Sequence, residues 1–395
     1  MKRRILFLRR PSGFGGTEIQ LVDWLRCIDY TRNEVWLGTS EDLFSTPLKA
    51  LGLPVRRIAL PVPVAGSFLR IFFSWLGFLR RLRPDKIIMG DAYFLEWPLV
   101  TVLAAYFACA GDVYMTEHSP YPTPSRKASR IHFGFLPGLG LWWYRSVLPL
   151  RARAYLSKRV VAVSETLKDW LVHSYGYPSE KVTIVHHGVD PSRFYRAEAS
   201  FRDSLRDSLG LPRDATVIVS TARLHAQKCV DQLIRAFDTI SGTEKNLWLL
   251  LAGDGPRREE LRGLAQSSRA HERIKFLGYL EDVSPVLQAS DIFVLPSTFE
   301  GLGISMLEAM ASELVTVVTD SGPSGEVIED GVNGLLVDVT YEGVLQGLGR
   351  ALNLSANERR MIGRRARQTI MEKFQLEDAL KRFLVAVDLQ QSQGE

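Results

Sequence analysis

The feature that most limits how this chain can fold is a regular alternation of short apolar, β-rich runs with longer stretches of helical pattern. In the second half the runs are 216–221, 247–252, 274–277, 291–295 and 315–318. Runs this short and this apolar mark strands buried on both faces, and the helical stretches between them mark parallel βαβ units. The first half alternates less cleanly, with candidate strands at 5–8, 34–38, 86–89, 112–116, 159–163 and 182–186. The pattern predicts two α/β domains, 1–195 and 196–374. The charged stretch 193–214, ending in Leu-Gly-Leu-Pro, reads as the linker between them with a short helix inside. The tail, 375–395, is expected to form a helix that packs back towards the first domain.

Composition narrows the class. With 395 residues, 46% hydrophobic and 24% charged, the chain is neither disordered, collagen-like nor a coiled coil. Cys27, Cys109 and Cys229 lie too far apart for a zinc ribbon or a redox pair, and an unpaired set favours a reducing cytoplasm. The longest near-uniform apolar run, 97–111, is shorter than the roughly 18 to 20 residues of a spanning helix. The basic start, MKRRILFLRR, has too short an apolar core for a signal peptide and reads as a first buried strand. Charge is uneven. Residues 1–195 hold 26 Lys+Arg against 15 Asp+Glu, a balance of +11, and the rest hold 23 against 29, a balance of −6. Either the first half meets an anionic partner, such as a membrane surface, or the two domains have drifted apart in charge.

An open parallel sheet binds ligands beyond the carboxyl ends of its strands, and three motifs fall there. The first is Gly13-Phe14-Gly15-Gly16-Thr17-Glu18, between a strand and a helix. Its glycines let backbone amides approach a bulky anion, or simply make a tight turn. It is no Walker loop, because the chain has no Gly-Lys pair. The second, 220–228, carries Arg223 and Lys228, a fork and a point charge that suit a diphosphate unless the loop is merely solvated. The third, 297–309, places Glu300 in a loop and Glu308 in the helix that follows, with Gly301 and Gly303 between them. Amides at a helix start favour an anion, while carboxylates beside it suit sugar hydroxyls. A sugar carrying a diphosphate fits this segment better than a capped helix start with surface glutamates.

In this order the motifs resemble the retaining glycosyltransferases of the GT-B architecture, family 4 type (glycosyl transferases group 1). The resemblance covers nearly the whole chain. It includes the Gly-Gly-x-Glu loop, Glu117-His118, Val163-Ser164-Glu165, His187-Gly188-Val189-Asp190 with Phe194, Arg223 to Lys228, and Gly253-Asp254-Gly255-Pro256. It continues through the Glu300 and Glu308 pair, Thr319-Asp320, Gly322, Glu326 and Asn333-Gly334. The implied fold is two Rossmann-like α/β domains facing each other across a cleft. Glu300, with the backbone of Gly301, Leu302, Gly303 and Ile304, would hold the donor hexose, and Glu308 the ribose. Arg223 and Lys228 would neutralise the departing diphosphate, aided by Gly15 and Gly16. Gly253 would lie among the donor-binding residues, and His118 near the reacting sugar. Two departures stand out: Cys229 where the family usually has Gly, and Pro323 where it often has Gly.

The implied enzyme is a retaining hexosyltransferase acting on a nucleotide-diphosphate sugar. The chain contains no Asp-x-Asp, so no metal and no cofactor are expected. The segment 68–83, FLRIFFSWLGFLRRLR, has apolar side chains over about 220° of a helical wheel, enough to be a well-buried helix or to lie on a membrane. The aromatic, basic stretch 125–159 suggests an acceptor-binding or lipid-facing wall. The acceptor is therefore expected to be a lipid-linked oligosaccharide or glycolipid of surface polysaccharide synthesis, met at the inner face of the plasma membrane. Nucleic acid is not expected, since no binding module is present. A catalytically silent sugar-nucleotide-binding subunit and a GT-B sugar-nucleotide epimerase are the rival readings.

Overall fold

The computed structural model describes residues 2–9, 15–39, 44–61, 68–90, 98–119 and 148–390. Two compact units share the chain: residues 1–186 with 380–395, and His187–Ala379.

The first unit is built on strands β1 (Arg3–Arg9), β2 (Asn33–Thr39), β3 (Arg56–Ala59), β4 (Lys86–Gly90), β5 (Asp112–Glu117), β6 (Arg159–Ala162) and β7 (Val182–Ile184). They form one parallel sheet in the order β3-β2-β1-β4-β5-β6-β7. Side chains alternate across it, as a period of two requires. Ile5 and Phe7 enter one core with Val35, Leu37, Ile88 and Tyr114, and Leu6 and Leu8 enter the other with Ile87, Met89 and Val113. Both faces are covered, which is why these strands read as continuous apolar runs. β3 escaped the sequence reading because it is an edge strand of sequence Arg-Arg-Ile-Ala with no apolar run.

Segment 68–83 forms the helix Phe68–Leu82. Ile71, Trp75, Phe78, Leu79 and Leu82 pack into the second core at helical spacing. Leu69 and Phe73 remain 62% exposed. The sequence allowed a buried helix or an outward apolar face, and the helix has one of each. Of the segment 125–159, residues 125–147 lie outside the described residues; the remainder opens with the helix Leu148–Leu156.

The tail helix, Leu376–Ala386, ends in the first unit, where Phe383 is fully buried and stacks on Trp24 at 4.1 Å and 2°. Beyond it, Asp388 accepts a hydrogen bond from the Tyr114 hydroxyl at 2.6 Å and pairs with Lys158 at 2.9 Å. Arg159 donates to the Ala386 carbonyl at 2.9 Å.

The second unit holds β8 (Thr216–Thr221), β9 (Leu247–Ala252), β10 (Ile274–Gly278), β11 (Ile292–Leu295), β12 (Val315–Thr319) and β13 (Leu335–Val337). These are parallel in the order β10-β9-β8-β11-β12-β13. The stretch 193–214 is no free linker. Its helix, Ala199–Ser208, carries Arg206, 2% exposed, which pairs with Asp291 at 2.8 Å and donates to the carbonyls of Ala289 and Ala215 at 3.0 and 2.8 Å. The division between units falls after His186 rather than after residue 195. Residues 191 and 194 belong with the second unit because Arg367 donates to the carbonyls of Pro191 and Phe194, at 3.0 and 2.7 Å.

Each sheet reverses its strand order beside its first strand. β1 lies between β2 and β4, and β8 lies between β9 and β11. At such a point the loops leaving neighbouring strands diverge to opposite faces and leave a crevice.

Candidate functional site

In the second unit the crevice is framed by residues 222–229, after β8, and 296–303, after β11. The two loops are stitched together. Thr298 N–H donates to the Gln227 carbonyl at 2.9 Å, and the Gln227 amide donates to the Phe299 carbonyl at 2.7 Å. Lys228 Nζ donates to Glu300 Oε1 at 2.5 Å. Sequence reading gave these two residues separate tasks; the fold puts them in contact. The pair is largely shielded, with side-chain exposures of 20% and 8%. Shielding strengthens a charge-assisted bond and holds both groups in one geometry.

Lys228 ends a single 3-10 turn, Ala226–Lys228, and Cys229 then opens the helix Val230–Ile240. Cys229 has φ +45, the left-handed region. That is the physical reason a glycine suits the position, and the loop keeps its geometry around the cysteine at a cost of about 1–2 kcal/mol. Burial pushes the Cys229 thiol above its ordinary range. The other departure, Pro323, has φ −63, which a proline ring prefers.

The helix Ile304–Ala311 starts at Gly303, with φ +82 and no side-chain cap. Its first amides therefore face the loop without a capping oxygen, an arrangement that suits an anion. Leu302, Met306 and Leu307 are at most 1% exposed and anchor the turn. Gly301 is buried, and Ile304 and Glu308 are half-buried on this helix. Arg223 stands exposed on the β8 loop. Beneath it Ala222 N–H bonds the Ala252 carbonyl at 3.0 Å, and Leu224 N–H bonds the Asp254 carbonyl at 2.9 Å. A Cβ on Gly253 would lie 2.0 Å from the Ala222 carbonyl oxygen, at φ +145. Gly253 thus has a packing reason of its own: it lets the two loops touch. Sequence reading missed the hydroxyls of Ser220, Thr221 and Ser297, buried at these strand ends with no hydrogen-bond partner among the described residues. A polar ligand or water beside them would satisfy such groups. Their only sequence signal is a hydroxyl residue where an apolar strand ends.

Elsewhere in this unit, Asn333 is a brace. Its amide donates to the Val327 carbonyl and Thr369 Oγ1, both at 3.0 Å.

In the first unit Gly13 and Phe14 lie outside the described residues. Gly15 precedes the helix Gly16–Arg26, again with no side-chain cap. A Cβ on Gly15 would come no nearer than 3.5 Å to Glu18 Oε2, so packing does not demand a glycine there. Glu18 turns inward, pairs with Arg9 at 3.2 Å and accepts from Thr17 at 2.9 Å. His118, 4% exposed, follows β5 with Nε2 3.2 Å from Thr116 Oγ1 and its ring 5.5 Å from Trp24. Arg9, Thr17, Trp24, Gly90, Thr116 and His118 line a small pocket at the carboxyl ends of β1, β4 and β5. Neighbouring Glu117 faces away and forms a buried ion pair with Arg153 at 2.7 Å, joined by the Tyr177 hydroxyl. The Glu117-His118 pair therefore divides into a structural carboxylate and a pocket imidazole.

Residues 14–193 match the model for Glycosyltransferase Family 4, and residues 201–369 match that for Glycosyl transferases group 1. An uncharacterized glycosyltransferase of Methanocaldococcus jannaschii is 30% identical over 232 residues, 58% of this chain and 59% of its own length. The lipopolysaccharide core biosynthesis glycosyltransferase LpsE of Rhizobium meliloti is 34% identical over 175 residues, 44% of this chain and 49% of its own. The match thus spans roughly half to three fifths of these relatives. The crystal structure of Anabaena HepE in complex with UDP-glucose superposes with a TM-score of 0.78 at 21% identity, over 98% of this chain and 100% of that one. With both halves matched in order and the architecture shared almost end to end, the chain belongs to the family 4, group 1 type of glycosyltransferases and has the GT-B fold.

Proposed function

We propose that the protein is a retaining hexosyltransferase that moves a hexose from a nucleotide-diphosphate sugar, of the GDP-mannose, UDP-glucose or UDP-GlcNAc type, to an acceptor hydroxyl. The observation that carries this reading is the contact between Lys228 and Glu300 across the crevice of the second sheet, beside an uncapped helix start. A cation, a carboxylate and free amides within one loop pair suit a ligand that is anionic at one end and hydroxylated at the other. Glu300 and the backbone from Gly301 to Ile304 hold the hexose, Glu308 holds the ribose, and Arg223 and Lys228 hold the diphosphate. Gly253 supports the loop that carries Arg223.

In the reaction the bond from sugar C1 to the diphosphate oxygen breaks. The acceptor oxygen bonds C1 on the same face, and its proton passes to the departing phosphate oxygen. An α-linked donor then gives an α-linked product. The developing negative charge is met by Arg223, Lys228 and helix amides, so no metal or cofactor is needed. Complexes of HepE with UDP-glucose support a nucleotide-sugar donor. The lipopolysaccharide core biosynthesis in LpsE's name supports a lipid-linked saccharide acceptor.

The test is nucleotide release from UDP-, GDP- and ADP-sugars with lipid-linked acceptors and EDTA present. Acceptor-stimulated release from one donor, unaffected by EDTA and giving an α-linked product, is expected. Saturable binding without release would make the chain a binding subunit, and donor interconversion without acceptor would make it an epimerase.

A further inference from the structure

The helices Phe68–Leu82 and Pro98–Phe107 both bury one side in the second core of the first unit. Their outer sides carry a continuous aromatic surface. Leu69 and Phe73 are each 62% exposed, Tyr106 is 67% exposed and Phe107 56%. Half-buried Phe72 joins them, with ring centroids 5.4 Å from Phe73 and 5.8 Å from Phe107, and Phe107 lies 5.6 Å from Tyr106. At 100° per residue Leu69, Phe73 and Arg80 fall within about 40° on one helical stripe. Arg80 reaches across to the Phe107 carbonyl at 3.4 Å. Arg70 and Arg81 are exposed on the same outer side, and neither helix contains an aspartate or glutamate.

Isolated exposed apolar residues are ordinary, but a contiguous aromatic group on two helices whose charged residues are all arginines marks an interaction surface. Charge decides the partner. Aromatics and leucine that can enter the headgroup boundary, flanked by arginines and no acid, make up an interfacial anchor for anionic lipid. The first 195 residues carry a balance of +11, so the half of the chain that holds these helices is cationic overall. No helix among the described residues is long and apolar enough to cross a membrane, so such contact lies along the surface.

We propose that these two helices dock the first unit on an anionic lipid surface. Leu69, Phe73, Tyr106 and Phe107 enter the boundary between headgroups and acyl chains, and Arg70, Arg80 and Arg81 meet lipid phosphates. The proposal deepens the lipid-linked acceptor reading, yet its test reads binding alone.

The full chain is floated with vesicles of phosphatidylcholine, with and without a third of phosphatidylglycerol. Binding to the anionic vesicles, weakened by salt, is expected. Phe73→Ser with Tyr106→Ser should lower it at least tenfold. Arg80→Gln and Arg81→Gln should each lower it by about fivefold. These side chains are exposed, so circular dichroism and release of nucleotide to a soluble acceptor analogue should stay unchanged. Equal binding to neutral and anionic vesicles, or equal binding by the variants, would overturn the proposal. So would a concentration-dependent dimer, seen in sedimentation, that Phe73→Ser abolishes, because the patch would then belong to a second copy. Loss of vesicle binding with release intact would leave the transferase reading standing, and the reverse result would leave the docking surface standing.

Discussion

The two units share one strand order, extended by a seventh strand in the first, and treat the carboxyl end of the sheet differently. In the second, the loops after β8 and β11 are bonded to each other through Gln227, Thr298, Lys228 and Glu300. In the first, the polar groups bond inward: Glu18 to Arg9 beneath the glycine turn, and Glu117 to Arg153 and Tyr177 behind His118. A cradle for a charged ligand of the kind proposed for the second unit has to be held by its own neighbours, and there the two loops hold each other. The first unit spends its buried charges on holding a platform, and puts its distinctive chemistry on two outer helices. Damage to buried polar groups should therefore read out as lost stability in one unit and lost turnover in the other.

The largest effect expected is in the first unit. Glu117→Ala strands the fully buried Arg153 charge, and should destabilise that unit by about 3–5 kcal/mol. Hydrogen exchange resolved by peptide would read the two units separately, and nucleotide binding to the second should persist. Equal loosening of both units would break the contrast. Next comes Arg223→Ala, at an exposed side chain, with turnover lowered about a hundredfold and thermal unfolding nearly unchanged; Lys228→Ala should lower turnover as much but also cost stability, because it strands the largely shielded Glu300 carboxylate. Steady-state kinetics and calorimetry together check this. Glu308→Ala should act more mildly, raising the donor KM with turnover kept, as for a contact made equally in ground and transition states.

Acid should loosen the tail. Burial alone would raise the Asp388 carboxyl, but hydrogen bonds from Tyr114 and Lys158, with the charges of Lys158 and Arg159, outweigh it and hold it below the ordinary 3.8. A carboxylate lowered in the folded state stabilises above its unfolded value, and that contribution is lost as pH falls through the folded one. Protection of the helix Leu376–Ala386 should therefore fall below about pH 3.8 in the native protein, and Asp388→Asn should remove this dependence. Smallest is Cys229. Cys229→Gly should be more stable than Cys229→Ala by about 1 kcal/mol, because both lack the thiol and only glycine enters the left-handed region freely. Equal melting temperatures would show that the loop relaxes around either residue.

Much of the frame was legible because buried parallel strands are continuous apolar runs. The strands that escaped, β3 and β13, are short edges where only part of the pattern is imposed. The stretch 193–214 misled because its surface is charged while Arg206 points inward to Asp291, a partner 85 residues away. The candidate site could be named in the sequence residue by residue, as a glycine turn, two cations and two carboxylates at strand ends. Which of them touch was not. Lys228 and Glu300 are 72 residues apart, and they meet only because β8 and β11 are neighbours in the sheet. The fate of Glu117 was equally hidden, since adjacent residues at a strand end point opposite ways and Arg153 identifies itself as the partner only in three dimensions.

Phe383 stacks on Trp24, yet the two are separated by nearly the whole chain. The consequence concerns the order in which a ribosome delivers the parts. The second unit is one continuous stretch, His187–Ala379, and holds all its strands once that stretch has emerged. The first unit lacks residues 380–395 until well after the second unit's stretch has been made. At about 5–20 residues per second, the roughly 360 residues between Trp24 and Phe383 take on the order of twenty to seventy seconds to make, and the first strands wait that long for the helix that closes their core. Throughout that interval Trp24 is without its stacking partner, and the half synthesised first is the half completed last.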